Sequence, residues 1–254
     1  MHELPLVFFT VLGQSAAGLF FVAYLSNKLN LINNHQLNVA NLLAMVVMFL
    51  GLIIGGLHVG QPMRFFNMLL GIGRSPMSNE AFFSGIFMAL AFGTVVFSFF
   101  EKFTKLKQIC NLAGIIAGLV FVWSIPQVYY IDTVANWNTH YTALQMWMTC
   151  FIGGGALATL IGAHKLGALF FIIGALVILA TKADYISLLN TKAIDQTGFW
   201  GIQLVILGLS LFVMAAVVLK NNVPQTTLVA CTVIIFVAEL SGRIAFYNLW
   251  EITM

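Results

Sequence analysis

Apolar residues run along this chain in eight nearly unbroken blocks, separated by short polar stretches. The blocks lie at about 5–27, 37–57, 80–100, 108–129, 141–163, 165–181, 198–219 and 226–248. Each is close to the ~20 residues that a helix needs to cross ~30 Å of hydrocarbon. Strands of a closed barrel would instead alternate apolar and polar residues with period two. A helix in lipid satisfies its own backbone polar groups. The pattern therefore predicts an all-α integral membrane protein, a bundle of about eight transmembrane helices forming a single domain over residues 1–254.

The connecting segments differ in length. NKLNLINNHQ, EKFTKLK, the His164-Lys165 break and KNNVPQ are short. HVGQPMRFFNMLLGIGRSPMSNE, YIDTVANWNTH and KADYISLLNTKAIDQT are longer. The first block is read as a retained span: its first charge is Glu3 rather than a basic residue, and its apolar run exceeds the 7–15 residues of a signal-peptide core. Pro126 is expected to kink or stop the fourth span. The pairs Gly51/Gly55 and Gly114/Gly118 allow close helix packing. No internal repeat is evident.

Composition agrees with the pattern. Hydrophobic residues make up 61% of the chain and charged residues 7%, against about 25% charged in soluble domains. The net charge is only +3, with no basic tail or stripe, so nucleic acid is a poor candidate partner and none is expected. Cys110, Cys150 and Cys231 each lie in an apolar run, far from one another. They read as buried core residues, and no metal site is expected.

Eight crossings put both termini on one face. The opposite face carries Lys28, Lys102, Lys105, Lys107, Lys165 and Lys220. The termini face carries Arg64, Arg74, Lys182 and Lys192, with Arg243 inside the eighth span. The positive-inside rule then makes the lysine face cytoplasmic and both termini non-cytoplasmic. The long loops with Phe65, Phe66, Tyr129, Tyr130 and Trp137 fall on the non-cytoplasmic face. They form either the usual interfacial belt or a platform for something that docks there.

Candidate chemistry sits at that same face. A membrane haem needs histidines within the spans, and His2, His35, His58, His140 and His164 are all terminal, in loops or at a span end. No haem is expected. His58 closes the second span, Arg64 follows it, and Glu80 opens the third span behind Ser78 and Asn79. An imidazole titrates near neutral pH, a carboxylate passes protons onward, and an arginine holds an anion or orients a ring oxygen. That set suits a quinol, which gives up two protons and two electrons. The plain alternative is an interfacial His58 bonded to a carbonyl. Glu239 and Arg243 stand four residues apart in the favourable helical order, as a structural ion pair or as part of a proton relay. Gln14 joins a polar, quinol-binding cavity or simply bonds a neighbouring helix. Asp132 is a proton exit or a cap.

LHVGQPMRFFNML followed by SPMSNEAFFSG, with the opening HELPLVFFTVLGQ and the later FVW and VYYIDTV, resembles the membrane anchor subunit of dimethyl sulfoxide reductase. The resemblance covers about the first 150 residues. Polysulfide-reductase-type anchors share similar features. The resemblance implies a menaquinol-oxidising subunit (or one using ubiquinol) in the bacterial inner membrane, with no haem or iron–sulfur cluster of its own. It would anchor an iron–sulfur subunit and a molybdopterin catalytic subunit of an anaerobic respiratory complex. It makes His58 the quinol-site histidine, with Arg64 and Glu80 beside it. On this reading quinol enters between spans 2 and 3 and Glu80 releases a proton. The competing readings are a proton-pumping relative, which needs a chain of ionisable residues across the membrane, and a secondary transporter, which favours midplane charges on broken helices.

Overall fold

The computed structural model describes residues 3–58, 65–189, 195–220 and 223–250. Arg64 and Lys192 lie outside the described residues. All eight apolar blocks form helices long and apolar enough to cross a membrane. They are α1 (Leu4–Lys28), α2 (Asn34–Gly56), α4 (Pro76–Ser98), α5 (Thr104–Gln127), α6 (His140–Ile161), α7 (His164–Leu188), α8 (Thr197–Lys220) and α9 (Gln225–Tyr247), with a short α3 (Phe65–Leu69) between α2 and α4.

The helix ends have local causes. Asn33 and Gln36 close a capping box: Gln36 N donates to Asn33 Oδ1 at 2.8 Å, and Asn33 N donates to Gln36 Oε1 at 3.0 Å. Pro76 opens α4, where its missing N–H is harmless. Gly162, at φ +115°, ends α6 and lets the chain turn straight into α7.

Two boundaries differ from the sequence expectation. α4 begins at Pro76, so Glu80 lies one turn inside the helix rather than at its opening. The cap position falls on Ser75, and Asn79 instead accepts from the Gly73 amide at 2.7 Å. α7 runs on through Lys182 and Asp184 to Leu188, where a loop was expected. A cation this deep is tolerated because it has partners: Lys182 Nζ donates to Gln145 Oε1 at 2.7 Å and stands 5.5 Å from the Tyr185 ring.

The helices form two groups of four: α1, α2, α4 and α5, then α6, α7, α8 and α9. In each group the first helix packs on the second and fourth, and the third packs on the second and fourth. The duplicated arrangement is spatial and has no counterpart in the sequence. The groups meet chiefly through α1 and α6. There a Cβ added to Gly154 would lie 2.5 Å from Gly18 Cα, and one on Gly18 would strike the Cys150 carbonyl oxygen. Only glycine permits this backbone contact. The glycine pairs noted in the sequence serve other contacts: Gly55 faces Phe9 of α1, and Gly118 faces Phe87 of α4.

Gly154→Val is expected to cut severalfold the folded protein recovered from membranes. Gly85→Ala, whose added Cβ meets nothing within 4 Å, should leave recovery unchanged. Gel filtration in detergent measures both, and equal recovery would contradict the importance of the seam.

Candidate functional site

Alternating crossings bring the start of α1, the end of α2, the start of α4 and the ends of α5, α7 and α9 to one face. At about 1.5 Å per residue, Glu80 lies roughly 6 Å and Gln14 roughly 15 Å inside their helices. The buried charged residues of the spans, Glu80, Lys182, Glu239 and Arg243, thus gather in the half of the bundle beneath the termini.

At the surface, His58 follows the last turn of α2. Its Nε2 stands 3.8 Å from Glu3 Oε2, which precedes the first turn of α1. Both side chains remain about two-fifths exposed. Glu3 also borders a cleft of about 490 Å³ between the start of α1 and the end of α9. Leu4, Val7, Ile244, Tyr247, Asn248 and Trp250 complete its lining. The volume is in the ~300–1,000 Å³ range of small-molecule sites, and the mixture of apolar walls with a few polar groups is typical of them.

Tyr247 forms the inner wall of the cleft. It is buried, and its hydroxyl hydrogen-bonds the buried Tyr129 hydroxyl. Trp137 locks this corner: its Nε1 donates to the Phe246 carbonyl at 2.9 Å, its ring stacks on Phe246, and the Tyr129 ring meets it edge-on at 5.4 Å. Two of the loop aromatics expected as a belt or platform, Tyr129 and Trp137, therefore act inside the fold. Tyr130 beside them stays more exposed.

Glu80 is buried in α4, within electrostatic reach of Tyr129, Tyr247 and Arg243. Its Oε1 has no hydrogen-bond partner. Burying such an atom is costly. The carboxylate beside His58 is Glu3, whereas Glu80 belongs to the tyrosine–arginine cluster.

Arg243 and Glu239 form no direct ion pair; among the described residues, only His58 and Glu3 do. Thr149 of α6 bridges them instead. Arg243 Nη2 donates to Thr149 Oγ1 at 3.0 Å and to Gln14 Oε1 at 2.8 Å. Thr149 Oγ1 donates to Glu239 Oε2 at 2.6 Å, and Gln203 Nε2 donates to Glu239 Oε1 at 3.3 Å. Gln14 thus bonds a neighbouring helix across the seam between the two groups. Asp132 stays exposed in its loop and accepts from Asn138 Nδ2 at 2.9 Å.

Glu3, Tyr247, Thr149, Gln203 and Lys182 were not legible as site residues. Glu3 read only as an N-terminal charge and Lys182 as a loop charge. Tyr247 had a faint signal, a phenol at the outer end of a span. Among the described residues, no three His, Cys, Asp or Glu side chains gather as a metal site would require.

Eight apolar helices, a buried polar centre beneath one face and a cleft opening at that face describe a polytopic membrane protein. The DMSO reductase anchor subunit (DmsC) family matches over residues 1–198, and the protein belongs to that family. It is similar to the C subunit of the anaerobic dimethyl sulfoxide reductase of Escherichia coli (strain K12), 29% identical over 272 aligned positions that span 98% of this protein and 95% of that one. The corresponding C subunit of Haemophilus influenzae is 33% identical over 62% of this protein and 58% of its own length. The YnfH subunit of an anaerobic dimethyl sulfoxide reductase of Escherichia coli is 34% identical over 63% and 57% respectively. No solved structure matches. The protein is thus the membrane anchor subunit of a DMSO reductase, a complex of several subunits, and a multi-pass protein of the inner membrane.

Arg243→Ala would strip partners from Gln14 and Thr149 and remove the cation that Thr149 links to Glu239. Each polar group so orphaned costs about 1–3 kcal/mol. A clear drop in the melting temperature of the detergent-purified protein is expected, smaller for Arg243→Lys. A wild-type melting temperature in Arg243→Ala would contradict the network's structural role.

Proposed function

We propose that this anchor oxidises a quinol in the cleft between α1 and α9 and passes its electrons to an iron–sulfur subunit docked on the same face, which in turn serves a molybdopterin catalytic subunit. The observation that carries the reading is that Glu3, paired with His58, lines a cleft that Tyr247 also lines. A quinol ring has two hydroxyls to deprotonate, and the cleft has acid–base groups on two sides. At the rim, His58 accepts one proton and Glu3 stabilises the imidazolium. At the inner wall, the Tyr247–Tyr129 hydroxyl pair hands the other proton toward Glu80, whose Oε1 lacks a partner. The phenols stay protonated at neutral pH, their ordinary pKa being about 10, so each transfers a proton only by gaining one as it loses one. Arg64 follows His58 in the sequence and belongs to this proposal by sequence alone. The seat of the quinol thereby moves from between spans 2 and 3, as read from the sequence, to the α1–α9 edge.

His58→Ala is expected to lower quinol-driven turnover of the assembled complex about a hundredfold, in keeping with a lost general base. Tyr247→Phe should lower it less. Turnover driven by a soluble dye that reduces the iron–sulfur subunit directly should match wild type in both. Wild-type quinol turnover in His58→Ala would sink the assignment.

We also place the termini face outside the cytoplasm. Lys182 and Arg243 are buried within helices and so drop out of the loop charge count. Six lysines on the opposite face then stand against Arg64, Arg74 and Lys192. A C-terminal alkaline phosphatase fusion is expected to be active and a fluorescent-protein fusion dark; the reverse result would invert the topology.

A further inference from the structure

The second four-helix group contains a separate cavity of about 10 Å³, lined in part by Gln145, Thr149, Gln203, Glu239, Gly242 and Arg243. That is about the least space that holds one water molecule, and a buried water also needs two to four polar partners. Two atoms on these walls lack any partner: Arg243 Nη1 and Gln203 Oε1. Both residues are about 95% buried, each with a relative exposure of 5%.

The orientation of Gln203 follows from chemistry. A carboxylate only accepts hydrogen bonds, so the amide NH₂ of Gln203 must face Glu239, as it does at 3.3 Å. Its oxygen is left needing a donor. Arg243 has spent Nη2 on Gln14 and Thr149, and its Nη1 carries N–H groups needing an acceptor. The two atoms do not bond each other, and a water between them would accept from Arg243 Nη1 and donate to Gln203 Oε1. Gly242 keeps the room open, because a Cβ there would strike the Gln203 amide.

We infer that one ordered water is bound in this cavity, accepting from Arg243 Nη1 and donating to Gln203 Oε1. It closes a hydrogen-bonded ring through Arg243, Thr149, Glu239 and Gln203, which ties α6, α8 and α9 together. With Gln14 on its other side, the Arg243 guanidinium is held at both amino groups. Its charge is then fixed within reach of both Glu239 and Glu80. The inference stands apart from the quinol reading, since it concerns water and the fold.

A density map of the whole complex, at a resolution that shows ordered waters, tests it. The expected result is a peak within hydrogen-bond distance of Arg243 Nη1 and Gln203 Oε1. That peak should be lost in Gly242→Ala, where the added Cβ drives the Gln203 amide into the cavity. An empty cavity in the wild type, or a direct Arg243–Gln203 bond with no density between, would overturn the assignment. Should Gly242→Ala fail to fold, infrared spectra of the wild type and Gln203→Leu on exchange into H₂¹⁸O decide the matter. An isotope-shifted O–H band is expected in the wild type and lost in Gln203→Leu; its absence from the wild type, or its persistence unchanged in Gln203→Leu, refutes the bound water.

Discussion

The seam between α1 and α6 is the contact on which the rest of the bundle depends. Gly18 and Gly154 let two backbones touch where lipid supplies no hydrophobic drive between helices. Packing is then the main source of association, and it is short-ranged. Pulling the two helices together places Gln14 of α1 against Arg243 of α9 and sets Thr149 of α6 between Arg243 and Glu239. The same closure joins the fourth helices of the two groups at their outer ends, where Tyr129 follows α5 and Tyr247 ends α9. Widening the seam by a methyl group would loosen every one of these bonds.

Charges inside a membrane are expensive, and this bundle keeps them few, near one face and balanced. Glu80 and Glu239 are matched by Lys182 and Arg243, all four buried. Each leans on neutral partners as well: Gln145 for Lys182, Thr149 and Gln203 for Glu239, Gln14 for Arg243. Glu80 is the exception, since one of its oxygens has nothing to bond. It is this acid that the proposed proton route uses.

The eight helices were legible because lipid demands long unbroken apolar runs, a signal that needs no tertiary context. The extension of α7 to Leu188 was not, since Lys182 belongs in a helix only once Gln145 from α6 is beside it. His58 and Glu80 stood out by residue type and position at the ends of one loop. The Glu3–His58 pair did not, because it joins the first residues of the protein to the end of α2. Nor did the repeat of four helices, since the same adjacency arises from different side chains. Glu239 and Arg243 were legible as neighbours on one helix face, but the Thr149 bridge that separates them comes from another helix.

The central claim is that a quinol ring sits at the α1–α9 edge, between the His58–Glu3 pair and Tyr247. The most direct test is a structure of the assembled complex with a bound menaquinol analogue. The account predicts one ring oxygen within hydrogen-bond distance of His58 and the ring lying against Tyr247. A ring bound elsewhere, such as between α2 and α4 out of reach of Tyr247, would contradict it.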